Sequence, residues 1–161
     1  MNLSAWRYPL LLAVLLSALL VAFPVHLGGD IVEYTLDTIA LANHGTPDIR
    51  LSDLAQAKAM LPHLAEPFGL LEQDMRSSVE KVYPAFARGR EGLVYPIHFF
   101  GYPAMAALPF KLLAAFGLPP FKAFQVVNLA AIFVLGMALR RFFASEWKAL
   151  AGLALFMLCG G

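Results

Sequence analysis

The chain has 161 residues, 60% of them hydrophobic and 14% charged, with a mean hydropathy of +0.68 and a formal net charge of +1. That composition excludes a disordered chain and argues against an ordinary water-soluble domain. Nucleic acid is not indicated, and the single cysteine, Cys159, leaves no intrachain disulfide.

Residues 8–27 carry no formal charge. As a helix this run is about 30 Å long, enough to cross the hydrocarbon core of a bilayer, and Gly28-Gly29 ends it. A cleaved signal peptide would use Arg7 as its charged head and residues 10–23 as its apolar core. No small-x-small cleavage site follows, so residues 1–27 are read as a retained first transmembrane helix.

Residues 28–94 form the most polar stretch, with ten acids against six bases, whereas the rest of the chain has six bases and one acid. A basic excess beside apolar runs marks the cytoplasmic side, so 28–94 is expected to be an extracytoplasmic loop. Breakers at Gly45-Thr46-Pro47, Pro62, Pro67 and Pro84 divide it into short helices, each expected to end or kink at its proline. Ser52-Asp53 reads as a helix start, and residues 68–82 mix apolar and charged side chains at helical spacing. These are expected to be amphipathic helices lying on the membrane.

Residues 95–119 are apolar and aromatic but interrupted by Gly101, Pro103, Pro109 and Lys111, which suits a bent, juxtamembrane or membrane-dipping element better than a straight span. Residues 120–141 form a further transmembrane helix ending in Arg140-Arg141. Residues 149–161 begin another apolar segment that stops short of a full span, so a longer polytopic protein is expected. With Arg7 and the Arg140/Arg141/Lys148 group both cytoplasmic, 95–119 lies at the outer surface. The alternative is a crossing there, with Lys111 and Lys122 inside. The expected fold class is thus an all-α membrane protein with a loop of short juxtamembrane helices.

On a helix opening at Asp30, steps of three, four and seven residues put Asp30, Glu33 and Asp37 on one face, with His44 close by. The same spacing suits a solvated face. Their position just beyond an apolar run favours chemistry. Clustered acids repel, so one is expected to hold its proton above the usual range and to suit general-base work; alternatively the set holds a divalent cation through oxygen ligands. Arg88 and Arg90, with Lys81 before them, offer guanidinium and ammonium groups to a phosphate. His98, among Tyr95 and Tyr102, is placed to bind sugar or phosphate, and the surrounding aromatics also suit a membrane belt. Gln125 and Asn128, at i and i+3 in an apolar run, are expected to bond a neighbouring helix.

The order Gly-Gly-Asp-Ile-Val-Glu-Tyr (28–34), Tyr-Pro-Ile-His-Phe-Phe-Gly-Tyr-Pro (95–103), Leu-Pro-Pro-Phe-Lys-Ala-Phe (118–124) and Arg-Arg-Phe-Phe (140–143) resembles the N-terminal part of GT-C polytopic membrane glycosyltransferases, which include protein mannosyltransferases and aminoarabinose transferases. It differs from the mannosyltransferases in having spaced rather than adjacent acids and no prolines after His98. The resemblance implies a sugar moved from a polyprenyl-phosphate donor to a lipid, glycan or protein acceptor outside the cytoplasm. Asp30 stands at the position of the catalytic base and Glu33 second; Asp37, Lys81, Arg88, Arg90, Tyr95, His98 and Tyr102 are candidates for substrate binding. A bacterial inner-membrane location is expected, and no cofactor is assigned, a divalent cation at the clustered acids being one option. The alternative is a non-enzymatic polytopic protein, a transporter portion or assembly subunit. No P-loop, dinucleotide fingerprint or zinc-type Cys/His spacing is present.

Overall fold

The computed structural model describes residues 6–26, 28–77 and 82–159 and is mostly helical. The chain divides into two compact units, one made of Met1–Val25 with Gln125–Gly161 and the other of His26–Phe124.

The first unit contains α1 (Arg7–Ala22), the greater part of α6 (Lys122–Phe143) and α7 (Glu146–Cys159). Tyr8, Leu12 and Leu16, one helical turn apart, form a seam on α1 that packs with Ala149 and Leu153 of α7 and with Ile132 and Phe133 of α6. Tyr8 buries its hydroxyl there by donating to the Gly136 carbonyl at 3.0 Å. Gly136 permits that approach, since a Cβ at this position would meet Leu12 Cδ2 at 2.5 Å. The outward sides stay apolar: Leu10, Val14, Val134 and Phe142 are exposed. Among the described residues only α6 is long and apolar enough to cross a membrane; α1, expected over residues 1–27, is a 16-residue helix.

The second unit is built around α2 (Ile31–His44). Asp30 opens it as the N-cap, and Gly45, in the left-handed conformation at φ 74°, closes it with its N–H on the Leu41 carbonyl. From Thr35 to Ala40 every residue is buried, because α5 (Gly101–Ala115) packs along one side and α3 (Leu51–Met60) along another. Leu36, Ile39, Leu54 and Phe110 fill this core. A short 3-10 turn, Pro62–Leu64, leads into α4 (Ala65–Arg76), whose buried Phe68 and Leu71 face inward.

Three expectations need correction. Pro67 does not break a helix: it is the third residue of α4, in the first turn, where a missing N–H costs no internal hydrogen bond. Pro103 is tolerated in α5 for the same reason, and the helix runs on through Pro109. The loop is also not purely helical, since β1 (Phe86–Arg88) and β2 (Val94–Pro96) form an antiparallel hairpin with Ala87 opposite Tyr95. Ile49 joins its edge by donating to the Val94 carbonyl at 2.8 Å. Gly89 fits beneath the Tyr95 ring, where a Cβ would come within 2.9 Å of it.

Candidate functional site

The N-terminal end of α2 gathers three of the expected residues. Asp30 leaves its carboxylate exposed and makes no capping bond with it. Glu33, one turn on, is only 1% exposed, and both of its oxygens turn to one residue 65 positions away. Oε1 accepts the His98 backbone N–H at 2.7 Å, and Oε2 pairs with His98 Nδ1. A two-point grip of this kind fixes the imidazole's orientation and places the proton on Nδ1 when the ring is neutral. The hydrogen bond to Glu33 raises the His98 pKa and the Glu33 charge adds to it; desolvation opposes them, and the Asp30 charge, weakest of the four influences, again raises it. The imidazole is half exposed, and one of its nitrogens lies within 4.8 Å of a carboxylate oxygen of Asp30.

Asp37 occupies the next turn of α2. It is 1% exposed, and its Oδ1 has no hydrogen-bond partner. Burial, reinforced by the nearby Glu33 charge, pushes its pKa up to about 7. Asp37 is therefore an interior acid that holds a proton near neutrality rather than a group open to substrate. The hydroxyls of Thr35 and Thr38 are likewise buried without partners.

A hollow of about 180 Å³ lies against the acids, walled by Gly29, Asp30, Val32 and Glu33 on one side and by Tyr83–Phe86 on the other. Ala85 adopts a left-handed φ of 74° in this wall, and its carbonyl accepts the Ile97 N–H at 3.0 Å. That bond ties the hollow's rim to the segment bearing His98. A non-glycine residue in this conformation costs roughly 1–2 kcal/mol, and nothing in the sequence marks it.

The remaining candidates are dispersed. Arg88 spends its guanidinium on the carbonyls of Asp74, Ser77 and Gly92, which braces the hairpin against the end of α4. Arg90 is exposed in the hairpin turn. Tyr95 covers Gly89, and Tyr102 meets Tyr34 edge-on at 5.8 Å while stacking on Phe124 at 5.4 Å. Lys81 lies outside the described residues. In the first unit, Gln125 donates not to a helix, as expected, but to the Pro24 carbonyl at 2.8 Å, two residues beyond the end of α1, and with Asn128 it edges an apolar groove of about 350 Å³ lined by Leu19, Leu20 and Met157.

Asp30, Glu33 and His98 each bring one ligand atom within 4.8 Å of the others. Two carboxylates and an imidazole make a donor set that suits a divalent cation, but both Glu33 oxygens are already engaged by His98, and an ion would have to displace that pairing.

The comparisons with family models, with curated proteins and with solved structures find no match for the chain.

Proposed function

We propose that this chain carries the acid-bearing module of an integral membrane glycosyltransferase, which moves a sugar from a polyprenyl-phosphate donor to an acceptor hydroxyl outside the cytoplasm. The observation that carries the reading is the division of labour at the start of α2. Glu33 is buried and committed to His98, while Asp30, three residues earlier, is exposed and uncommitted.

In this reading Asp30 is the base. It takes the proton of the acceptor hydroxyl as that oxygen bonds to the anomeric carbon. The bond from the anomeric carbon to the phosphate oxygen breaks, its electron pair leaves with the lipid phosphate, and a direct displacement inverts the anomeric configuration. His98, held by Glu33 and inclined to the imidazolium form, offers an N–H to the departing phosphate. Glu33, expected second as a base, becomes a positioning residue, and Asp37 lies too deep to touch a substrate.

Membrane residence is part of the same proposal. It is supported by the 22-residue α6, of which only 11% of the apolar window is buried, and by the exposed apolar flanks of α1. A lipid-linked donor keeps its tail in the bilayer, so acids placed just beyond an apolar helix meet its head group. The second reading, a non-enzymatic membrane protein that binds a cation, is favoured by the Asp30, Glu33 and His98 donor set.

The protein in phospholipid nanodiscs, given a polyprenyl-phosphate sugar and an acceptor alcohol, is expected to consume donor and yield product of inverted anomeric configuration by NMR. Retained configuration would overturn the displacement mechanism. No donor consumption, together with cation-dependent uptake into vesicles that is lost in Glu33→Gln, would overturn the enzyme reading in favour of the second.

A further inference from the structure

We propose that the exposed face of α5 is a membrane-docking surface that lies flat in the headgroup region of a phospholipid bilayer. The inference rests on the membrane part of the reading above and adds to it the depth and orientation of one element beside the site.

α5 is apolar on two opposite sides. On one, Pro103, Ala106, Ala107 and Phe110 are buried as the helix packs along α2. On the other, Met105, Leu108, Leu112 and Phe116 follow one another at steps of three and four residues, and they remain open, Leu108 at 66% and Phe116 at 78% exposure. A surface helix that turns one apolar face to its own core usually turns polar residues to water. This one continues greasy over three turns, and the line is prolonged beyond its N-terminus by exposed Ile97 and Phe99.

Charge and length select a bilayer as the occupant. Residues 92–145 contain no Asp or Glu, so α5 and its flanks bring no acid of their own to an anionic headgroup layer, and Lys111 is exposed beside Leu108 and Leu112. A lysine so placed rests its stem on apolar surface and lifts its ammonium to phosphate depth. The helix has 15 residues, about 22 Å, against a hydrocarbon core of about 30 Å. Pro109 also leaves the Met105 carbonyl without its helical donor, which is tolerable near water and costly in hydrocarbon. A short, bilaterally apolar, acid-free helix with one lysine lies in the interface and does not cross it.

The site gains a fixed depth from this arrangement. His98 precedes α5 by three residues, and Tyr102 in its first turn meets Tyr34 of α2. Docking α5 therefore holds the Glu33 and His98 pair at headgroup level, the depth of a lipid phosphate.

The test uses the full chain with Cys159→Ser, reconstituted in vesicles of phosphatidylcholine and phosphatidylglycerol. An environment-sensitive fluorophore is placed at Leu108→Cys, at Leu112→Cys as a second position, and at Val134→Cys on α6 as reference. Acyl chains brominated near the headgroup are expected to quench Leu108 and Leu112 at least two-fold more than chains brominated near the bilayer centre, while Val134 is quenched from within the bilayer. Strongest quenching of α5 by the deep bromines would mean that it crosses, and would overturn the proposal. So would absence of lipid quenching on α5 with Val134 still quenched, because protein then covers the face. Loss of quenching at all three positions would take the membrane reading down as well. Sugar transfer does not enter the measurement, so its failure is a separate result.

Discussion

The two ends of α2 both gather histidine and carboxylates, and they treat them in opposite ways. At the C-terminal end Asp53, fully buried, accepts from His44 Nε2 at 3.1 Å, Asn43 Nδ2 at 2.9 Å and the Arg50 backbone N–H at 2.9 Å. The last of these is one half of a capping box at the start of α3. Asp48 beside it is paired with Arg50; burial acts to raise its carboxyl, but the hydrogen bonds from Thr46 and Arg50 outweigh that and hold it below the usual carboxylate range. Every charge there has a partner, which is how a cluster looks when its work is to join α2 to α3. The N-terminal half differs: the exposed Asp30 carboxylate makes no capping bond, Asp37 is buried with an orphaned oxygen, and the His98 ring is half exposed. Buried groups without partners lower stability, and their presence in this half of α2 is why the proposed chemistry is placed there.

That contrast can be broken from the structural side first. Asp53→Ala strips three donors of a buried acceptor and is expected to lower stability by about 3–5 kcal/mol, read by chemical denaturation, whatever the chemistry at Asp30. A loss below about 1 kcal/mol would show that the C-terminal cluster is not the brace described.

Asp37→Asn is expected to act with the opposite sign. The Asp37 pKa is about 7 in the folded protein against about 4 unfolded. The folded state therefore binds the extra proton between those values, and stability falls as pH rises through that window and levels off above it. Removing the group removes a pH dependence worth on the order of 4 kcal/mol, so the variant should overtake the parent in melting temperature between pH 5 and pH 8. Parallel pH profiles would mean that Asp37 ionises freely. The His98 contribution has the same direction, since a raised pKa confers stability that is lost with rising pH, and it is common to both proteins.

The mildest change sharpens the comparison. Glu33→Gln keeps the acceptor of the His98 N–H but loses the charge, so the His98 pKa should fall, which NMR of the ring carbons can follow, and sugar transfer should drop about ten-fold. An unmoved His98 titration would dissolve the pair.

Much of the helical layout is legible in the sequence. The acid-bearing helix begins where Gly28-Gly29 and Asp30 place it, Gly45 ends it, and Ser52-Asp53 falls in the first turn of α3. The hairpin is not legible, because strands of three residues are too short to show alternation and one of them ends in proline. Pro67 and Pro103 mislead for a positional reason, since a proline in a first turn starts a helix as readily as it stops one. The site is half legible. Repulsion among the acids points to a raised pKa, but the shift falls on Asp37, because the enclosure of α2 between α3 and α5 depends on tertiary packing. The Glu33 and His98 pairing spans 65 residues and leaves no local pattern.

The central claim is that Asp30 does what its paired neighbours do not. Turnover of a polyprenyl-phosphate sugar by Asp30→Asn, at unchanged membrane abundance and with the His98 titration intact, should fall by about 10²–10⁴. Near-parental turnover would contradict the account.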